Sequence, residues 1–468
     1  MLPSAPIWLN DIHSGLNRTR VHRLLTPKSP DALIASVCQT REEGGHIAVS
    51  GCRHAMGGQQ FLEGGCVLDL RGLNRLIHLD QQRGLLRVEA GIQWPELIAG
   101  YRAMHSIDGP QWGIAQKQTG ADTFTLGGTL SANAHGRGLT LAPFIQDVEA
   151  FSLLQADGTI IRCSRRENLE LFGLVIGGYG LFGVITEVTL RLIPRMRLER
   201  VVEILDAEAL PVAFEQRIAA GCLYGDFQFS IDETSERFLQ RGVFSCYRPT
   251  ERPLEARPPR ELEEESWLQL LYLAYTDRAK AYEKYADYYL STNGQVYESD
   301  THQLGPYLPD YAASIAQMGG ASSKSSLLIS ELYVPRAELP HFLADAARDL
   351  RASGVVVIYG TVRLIEKDTE TFLPWAKQAY ACVIFNLLVE HSPAGIERVR
   401  KAFCELIDRA TDRGGNYYLT YHRFATTSQL QSGYPKFGQF LGRKQQYDPT
   451  DLFQSDWYRH YRKEWSGS

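Results

Sequence analysis

The run Ser50-Gly51-Cys52-Arg53-His54-Ala55-Met56-Gly57-Gly58-Gln59 follows an apolar stretch, His46-Ile47-Ala48-Val49, and sets glycines around an arginine–histidine pair. Glycine lets a backbone turn through positive φ and bring its N–H groups close to an anion, so such a run can wrap a pyrophosphate. His54 adds a side chain that changes charge near neutral pH. Taken alone, the run also fits a turn with a solvated Arg53 and a capping His54. Two later segments favour a long, flat ligand. Between 118 and 138, small residues alternate with hydroxyls and amides: Gln118, Thr119, Gly120, Thr125, Gly127, Gly128, Ser131, Asn133, His135 and Gly136. These fill little core, but they offer backbone donors and short polar groups for phosphate, polyol and ring contacts. Gly177-Gly178-Tyr179-Gly180-Leu181-Phe182-Gly183 then opens onto a run to Leu192 with a strand's period of two.

The elements that must position these loops mix strands and helices without strict alternation. Residues 30–42 read as a helix with Pro30 and Asp31 in the first turn and Leu33, Ile34 and Val37 on one face. Strands are expected at 46–49 and 67–70, a hairpin at 76–79 with 85–90, and a helix opened by Trp94-Pro95 to about His105. A second hairpin joins 151–155 to 159–163 across Ala156-Asp157-Gly158. This is an α+β pattern. Gly178-Tyr179-Gly180-Leu181-Phe182-Gly183 has the Gly-x-Gly-x-x-Gly spacing, but it opens onto a strand and not a helix, so it does not read as a dinucleotide fingerprint.

In order and spacing the three glycine-rich segments resemble the FAD-binding domain of the vanillyl-alcohol oxidase family, also called the p-cresol methylhydroxylase or PCMH type. The loop at 51–59 is most similar to that of alditol and sugar-lactone oxidases. The resemblance implies a two-subdomain FAD-binding domain over 1–197, an inserted α+β substrate (cap) domain over 198–420, and a C-terminal segment, 421–468, returning to the FAD domain. It implies FAD contacts from Ser50 to Gly57 and Gln59, from the ten residues named between 118 and 136, from Gly183 and Ile185, and from Lys444 in the return segment. By the same match His54 is the covalent flavin anchor, since a neutral imidazole nitrogen is a competent nucleophile toward the flavin 8α-methyl group. Noncovalent FAD stays open. A second link through cysteine is not expected, because the stretch after Asn133-Ala134-His135-Gly136 contains none up to Asp147.

The resemblance thins between 200 and 420. Thr361-Val362-Arg363 is similar to a cap strand carrying Glu-x-Arg in alditol oxidases, with Thr361 at the glutamate's place, and Tyr421-His422-Arg423-Phe424-Ala425 is similar to Pro-His-Trp-Gly-Lys, with Ala425 at the lysine's place. The match implies His422 as catalytic base, Arg363 as the electrostatic partner of developing negative charge, and Thr125 as a hydroxyl near the flavin centre. The plainer alternatives are His422 bonded to its neighbours and Arg363 paired with Glu331 or Glu366. Residues 247–265, rich in proline and charge, read as an exposed loop, and 267–290 as one long helix with a tyrosine-rich face.

Composition excludes several classes. The chain has 468 residues, a formal net charge of −5 and no basic run, so nucleic acid is not an expected partner. No apolar stretch reaches the ~20 residues of a membrane span and no signal-peptide pattern opens the chain, so a cytoplasmic location is expected. The eight cysteines form no Cys-x-x-Cys pair or metal-ligand spacing, and no metal is expected. The reading is a FAD-dependent oxidoreductase that takes hydride from a CH–OH carbon of a small organic substrate and passes electrons to O2 or another acceptor. Two alternatives stand beside it: a C=C reductase of the sterol Δ24-reductase type using NADPH, and a non-catalytic flavin- or metabolite-binding protein.

Overall fold

The computed structural model describes residues 6–106, 108–254, 261–305, 308, 311–319 and 323–466. Three sheets position the cavity. A small parallel sheet, in the order Arg23–Leu25, Cys66–Asp69, Ile47–Ser50, delivers the chain into the loop at 51–59. A five-stranded antiparallel sheet, in the order Ile160–Ser164, Val148–Leu154, Val184–Arg191, Leu85–Glu89, Leu76–Asp80, carries the 177–183 loop at the start of its central strand. The third is an eight-stranded antiparallel sheet: Val296–Glu298, Arg197–Asp206, Arg241–Pro249, Tyr224–Phe229, Val357–Ile365, Tyr380–Glu390, Ser325–Pro335, Asn416–Tyr417.

Local chemistry accounts for these elements. Helix Pro30–Glu42 starts where the Ser29 side chain accepts from the Ala32 N–H and Pro30 supplies a preset φ, and it buries Leu33 and Val37 as its spacing predicts. Both expected hairpins form, pairing Leu76–Asp80 with Leu85–Glu89 and Val148–Leu154 with Ile160–Ser164. Gly183 has φ +143 and would place a Cβ 2.6 Å from the Leu154 carbonyl, so only glycine lets the chain enter its strand there.

The eight-stranded sheet shows why its residues face two environments. Along Val357–Ile365, Tyr359, Thr361 and Arg363 line a cavity, while Val362 and Leu364 are buried in the core. Helices Leu339–Ser353 and Pro393–Thr411 pack together and against the strands of this sheet, where Phe342 meets Phe385 at 6.5 Å between ring centres. The C-terminal stretch returns to the small parallel sheet: Phe453 bridges Ile47 in parallel, and the Ile47 N–H donates to the Leu452 carbonyl at 2.8 Å.

Three sequence expectations change. The helix expected over 267–290 is two helices, Glu264–Thr276 and Arg278–Ser291, broken at Asp277, whose carboxylate caps the second by accepting from the Lys280 N–H. The expected loop at 247–265 begins inside strand Arg241–Pro249 and ends inside helix Glu264–Thr276; residues 251–254 are exposed, and 255–260 lie outside the described residues. Lys444 is not a cavity residue. Fully buried, it donates to Asp448 at 2.6 Å and Asp451 at 3.0 Å, and Asp448 also accepts from the Leu452 and Phe453 N–H groups, so Lys444 fixes the returning C-terminal segment instead. Among the described residues no helix is long and apolar enough to cross a membrane.

Candidate functional site

One cavity of about 1010 Å³ runs from the glycine-rich loops to the eight-stranded sheet and the helices 264–276 and 278–291. Its wall includes Ser50, Gly51, Cys52, Arg53, His54, Ala55 and Gln59 from the first loop, Gln118, Thr119, Gly120, Thr125, Gly127, Gly128, Ser131 and His135 from the second segment, Gly183 and Ile185 from the third, and Arg363 from the large sheet. The loop is tightly built. A Cβ on Gly51 would stand 2.2 Å from the Thr125 hydroxyl oxygen, and Arg53 holds φ 62, a left-handed conformation that a non-glycine residue adopts at some cost.

Four residues expected at the ligand stand behind the wall. Met56 is fully buried, with its carbonyl accepting from Asn17 Nδ2 at 2.7 Å. Gly57 packs against the Tyr421 carbonyl, 2.7 Å from where its Cβ would be. Asn133 donates to Asp368 at 3.0 Å and accepts from the Ile145 N–H, holding two loops together. Gly136 abuts the Lys117 carbonyl, 2.7 Å from its Cβ position. Their part is to shape the backbone that the others line.

His54 sits at the wall between partners that fix its ring. Its Nδ1 lies 2.9 Å from His13 Nε2, its Nε2 lies 3.0 Å from the Thr123 hydroxyl, and its ring stacks on Phe124 at 3.8 Å. Burial, helped by the neighbouring His13, holds its pKa well below the ordinary histidine value, so the ring is neutral near pH 7. Burial also pushes the Cys52 thiol up to about 11, which keeps this neighbour protonated. Thr125 serves first as a helix cap, accepting from the Gly128 N–H at 3.3 Å.

The expected base is not on the cavity wall. His422 lies outside the wall, bonded through Nε2 to the Ser14 hydroxyl at 2.9 Å and stacked on Phe424, and burial lowers its pKa to about 4. Its neighbour Tyr421 reaches the cavity. The Tyr421 hydroxyl donates to Glu331 Oε2 at 2.9 Å. Glu331 Oε1 lies 2.7 Å from His135 Nε2 and also accepts from the Tyr333 hydroxyl at 2.5 Å and the Cys382 thiol at 3.3 Å. Burial pushes the Glu331 carboxyl up, but the His135 ring and the hydrogen bonds from His135, Tyr333 and Tyr421 outweigh it and bring it down to about 2. His135, Glu331 and Cys382 present metal-ligand atoms within 4.8 Å of one another, and burial with the neighbouring Glu331 carboxylate holds the Cys382 thiol well above its ordinary range.

Arg363 pairs with neither acid expected for it. Glu331 is engaged by His135, Glu366 bonds Arg336 at 2.7 Å, and Arg363 Nε is buried without a partner. Asp226, Gln228, Arg137, Arg200 and several tyrosines of helix Arg278–Ser291 also line this end. The sequence signal for Glu331 and Tyr421 is slight, because their partners come from segments 196 and 90 residues away.

Residues 21–164 match the family model described as a FAD binding domain. The chain is 32% identical over 151 residues to an uncharacterized oxidoreductase of the fasciation locus in Rhodococcoides fascians, covering 31% of this chain and 32% of that protein. It is 30% identical over 135 residues to L-gulonolactone oxidase of Mus musculus, 29% of each chain, and 27% identical over 183 residues to decaprenylphosphoryl-beta-D-ribose oxidase of Mycolicibacterium smegmatis, 38% of each chain. These matches span about a third of the length of each relative. The cavity's donor set fits FAD: Gln118 Nε2 and Thr119 Oγ1 are buried on its wall without a partner, while Gln118 Oε1 is already held by Trp94 and Thr129.

Glu331 also sets an acid dependence. A carboxyl whose folded pKa lies below its unfolded value of 4.5 contributes stability that is fully present above that value and is lost as pH falls toward about 2. Thermal unfolding of wild type is therefore expected to weaken between pH 5 and 2 more steeply than that of a Glu331→Gln variant; parallel curves would show that Glu331 contributes no such term.

Proposed function

We propose that this chain, a PCMH-type FAD-linked oxidoreductase, takes a hydride from a CH–OH carbon of an organic substrate bound between its glycine-rich loops and its eight-stranded sheet. The carrying observation is the group formed by Tyr421, Glu331 and His135 with Arg363 beside it, all on the wall of one cavity with the FAD loops. When bound, FAD supplies the two-electron hydride acceptor and passes its electrons to O2 or another acceptor. The chain's own residues handle the proton and the charge. As the C–H bond breaks, the substrate hydroxyl must lose its proton, and the Tyr421 oxygen accepts it while passing its own proton to Glu331. Burial holds the Tyr421 phenol well above its usual range, so it stays neutral and acts as a relay. Arg363 stabilises the negative charge that develops on the substrate oxygen.

In this reading residues 1–197 form the FAD-binding domain, 198–420 an inserted substrate domain and 421–468 the returning segment; the run of the large sheet from Arg197 to Tyr417 supports it. His54 is the covalent anchor, supported by its neutral ring at the wall. A second reading, the NADPH-dependent reduction of a C=C bond, draws on the apolar wall formed by Trp267, Leu270, Leu271 and Ala274. NADPH consumption without hydrogen peroxide would select it.

The test is anaerobic reduction of the FAD-loaded protein by a panel of sugar lactones, polyols and simple alcohols. Loss of flavin colour with one of them, slowed about 10²-fold or more in Tyr421→Phe and in Arg363→Met, is the expected result. Wild-type rates in both variants would remove the relay and its electrostatic partner, and no reduction by any panel member would favour a binding protein. For His54, acid precipitation of wild type should keep the colour in the pellet and His54→Ala should release it; release from both means noncovalent FAD.

A further inference from the structure

The end of the cavity away from the glycine-rich loops gathers positive charge on an aromatic bed. Arg137 lies over the Tyr247 ring, 4.7 Å from its centre. Arg200, 8% exposed, lies over the Tyr297 ring at 4.6 Å and donates to the Tyr247 hydroxyl through Nε at 3.0 Å and through a terminal nitrogen at 2.7 Å. Both line the cavity, and Arg137 Nε is buried with no hydrogen-bond partner. Neither arginine forms an ion pair among the described residues. Asp226 shares the wall and accepts from Gln228 Nε2 at 3.1 Å, Glu331 is engaged by His135, and Glu261 and Glu264 stand exposed to solvent. Guanidinium stays protonated, so with Arg363 the inner wall carries three cations against the two carboxylates of Asp226 and Glu331. Asp226 faces Arg137, so the two carboxylates leave the three buried cations short of one anion, a cost that a ligand oxyanion would relieve. Beside these charges helix Glu264–Thr276 turns Trp267, Leu270, Leu271 and Ala274 toward the same space.

We propose that the substrate carries an oxyanion group, a carboxylate or a phosphate, which seats on Arg137 in the field of Arg200, with an apolar body against helix Glu264–Thr276. The substrate class is then an acidic, partly apolar hydroxy compound, and this rests on the reading of that end of the cavity as the substrate end. Arginine suits the task because guanidinium stays charged and offers several N–H donors: Arg137 keeps Nε open over the Tyr247 ring, while Arg200, whose three nitrogens already donate to Tyr247 and Thr292, contributes its charge.

The experiment uses the FAD-loaded protein and three probes: benzoate, its uncharged isostere benzamide, and inorganic phosphate. Binding is read by the shift in thermal unfolding and by the change in the flavin absorption band. Benzoate is expected to bind at least about tenfold more tightly than benzamide. Arg137→Met is expected to abolish that preference while retaining FAD. Displacement of benzoate by phosphate would assign a phosphate-type group, and failure to displace it a carboxylate. Equal affinity for benzoate and benzamide in wild type, a comparison that needs no variant, would overturn the proposal, as would wild-type affinity for benzoate in a folded Arg137→Met. Because binding is read without turnover, a benzoate preference in a protein whose flavin no alcohol reduces would leave this anion site standing and sink the oxidation reading alone.

Discussion

A buried carboxylate needs compensation from every side, and Glu331 receives it from three separated parts of the chain. His135 comes from the small-residue segment, Tyr333 and Cys382 from the large sheet, and Tyr421 from the stretch that returns to the parallel sheet. At 3% exposure the charge would be prohibitively costly alone, so the segments that satisfy it are held in register with one another. That register brings the FAD loops to face the cavity side of the eight-stranded sheet. Removing one partner leaves the others around an underpaired charge, so the cluster acts as a unit.

The cavity is polar where it meets the loops and mixed where it meets the sheet. Along the loops, small residues leave backbone donors and the unpartnered Gln118 Nε2 and Thr119 Oγ1 free to hold a cofactor. Along the sheet, alternation places Tyr359, Thr361 and Arg363 inward while Val362 and Leu364 build the opposite core, so a single strand supplies both site and stability.

The parts legible in the sequence are those written locally. The glycine loops at 51–59 and 177–183, the Ser29–Pro30 helix start and the two hairpins depend on residues within a few positions of one another, and the helix start and both hairpins stand where their spacing predicts. The buried group of Tyr421, Glu331 and His135, to which proton handling is assigned by proposal, is written non-locally and so is hard to read: Glu331 has no neighbour in sequence that marks it, and its partners lie as far off as His135. The shift from His422 to Tyr421 is a one-residue change in which side chain turns inward, decided by Ser14, which takes up the histidine. The break at Asp277 had a local signal, an N-cap residue type, but the strong apolar and aromatic spacing on both sides conceals it. Lys444 is misread for the same reason as Glu331, since its acids matter only once the C-terminal turn has folded.

The central claim is that this one cavity holds FAD, and the most direct measurement is the visible spectrum of the purified protein before and after incubation with FAD and removal of the excess. The account predicts the absorption bands of oxidised flavin at one FAD per chain, present at the outset or gained on incubation. A protein that is colourless and stays colourless after that incubation would contradict it.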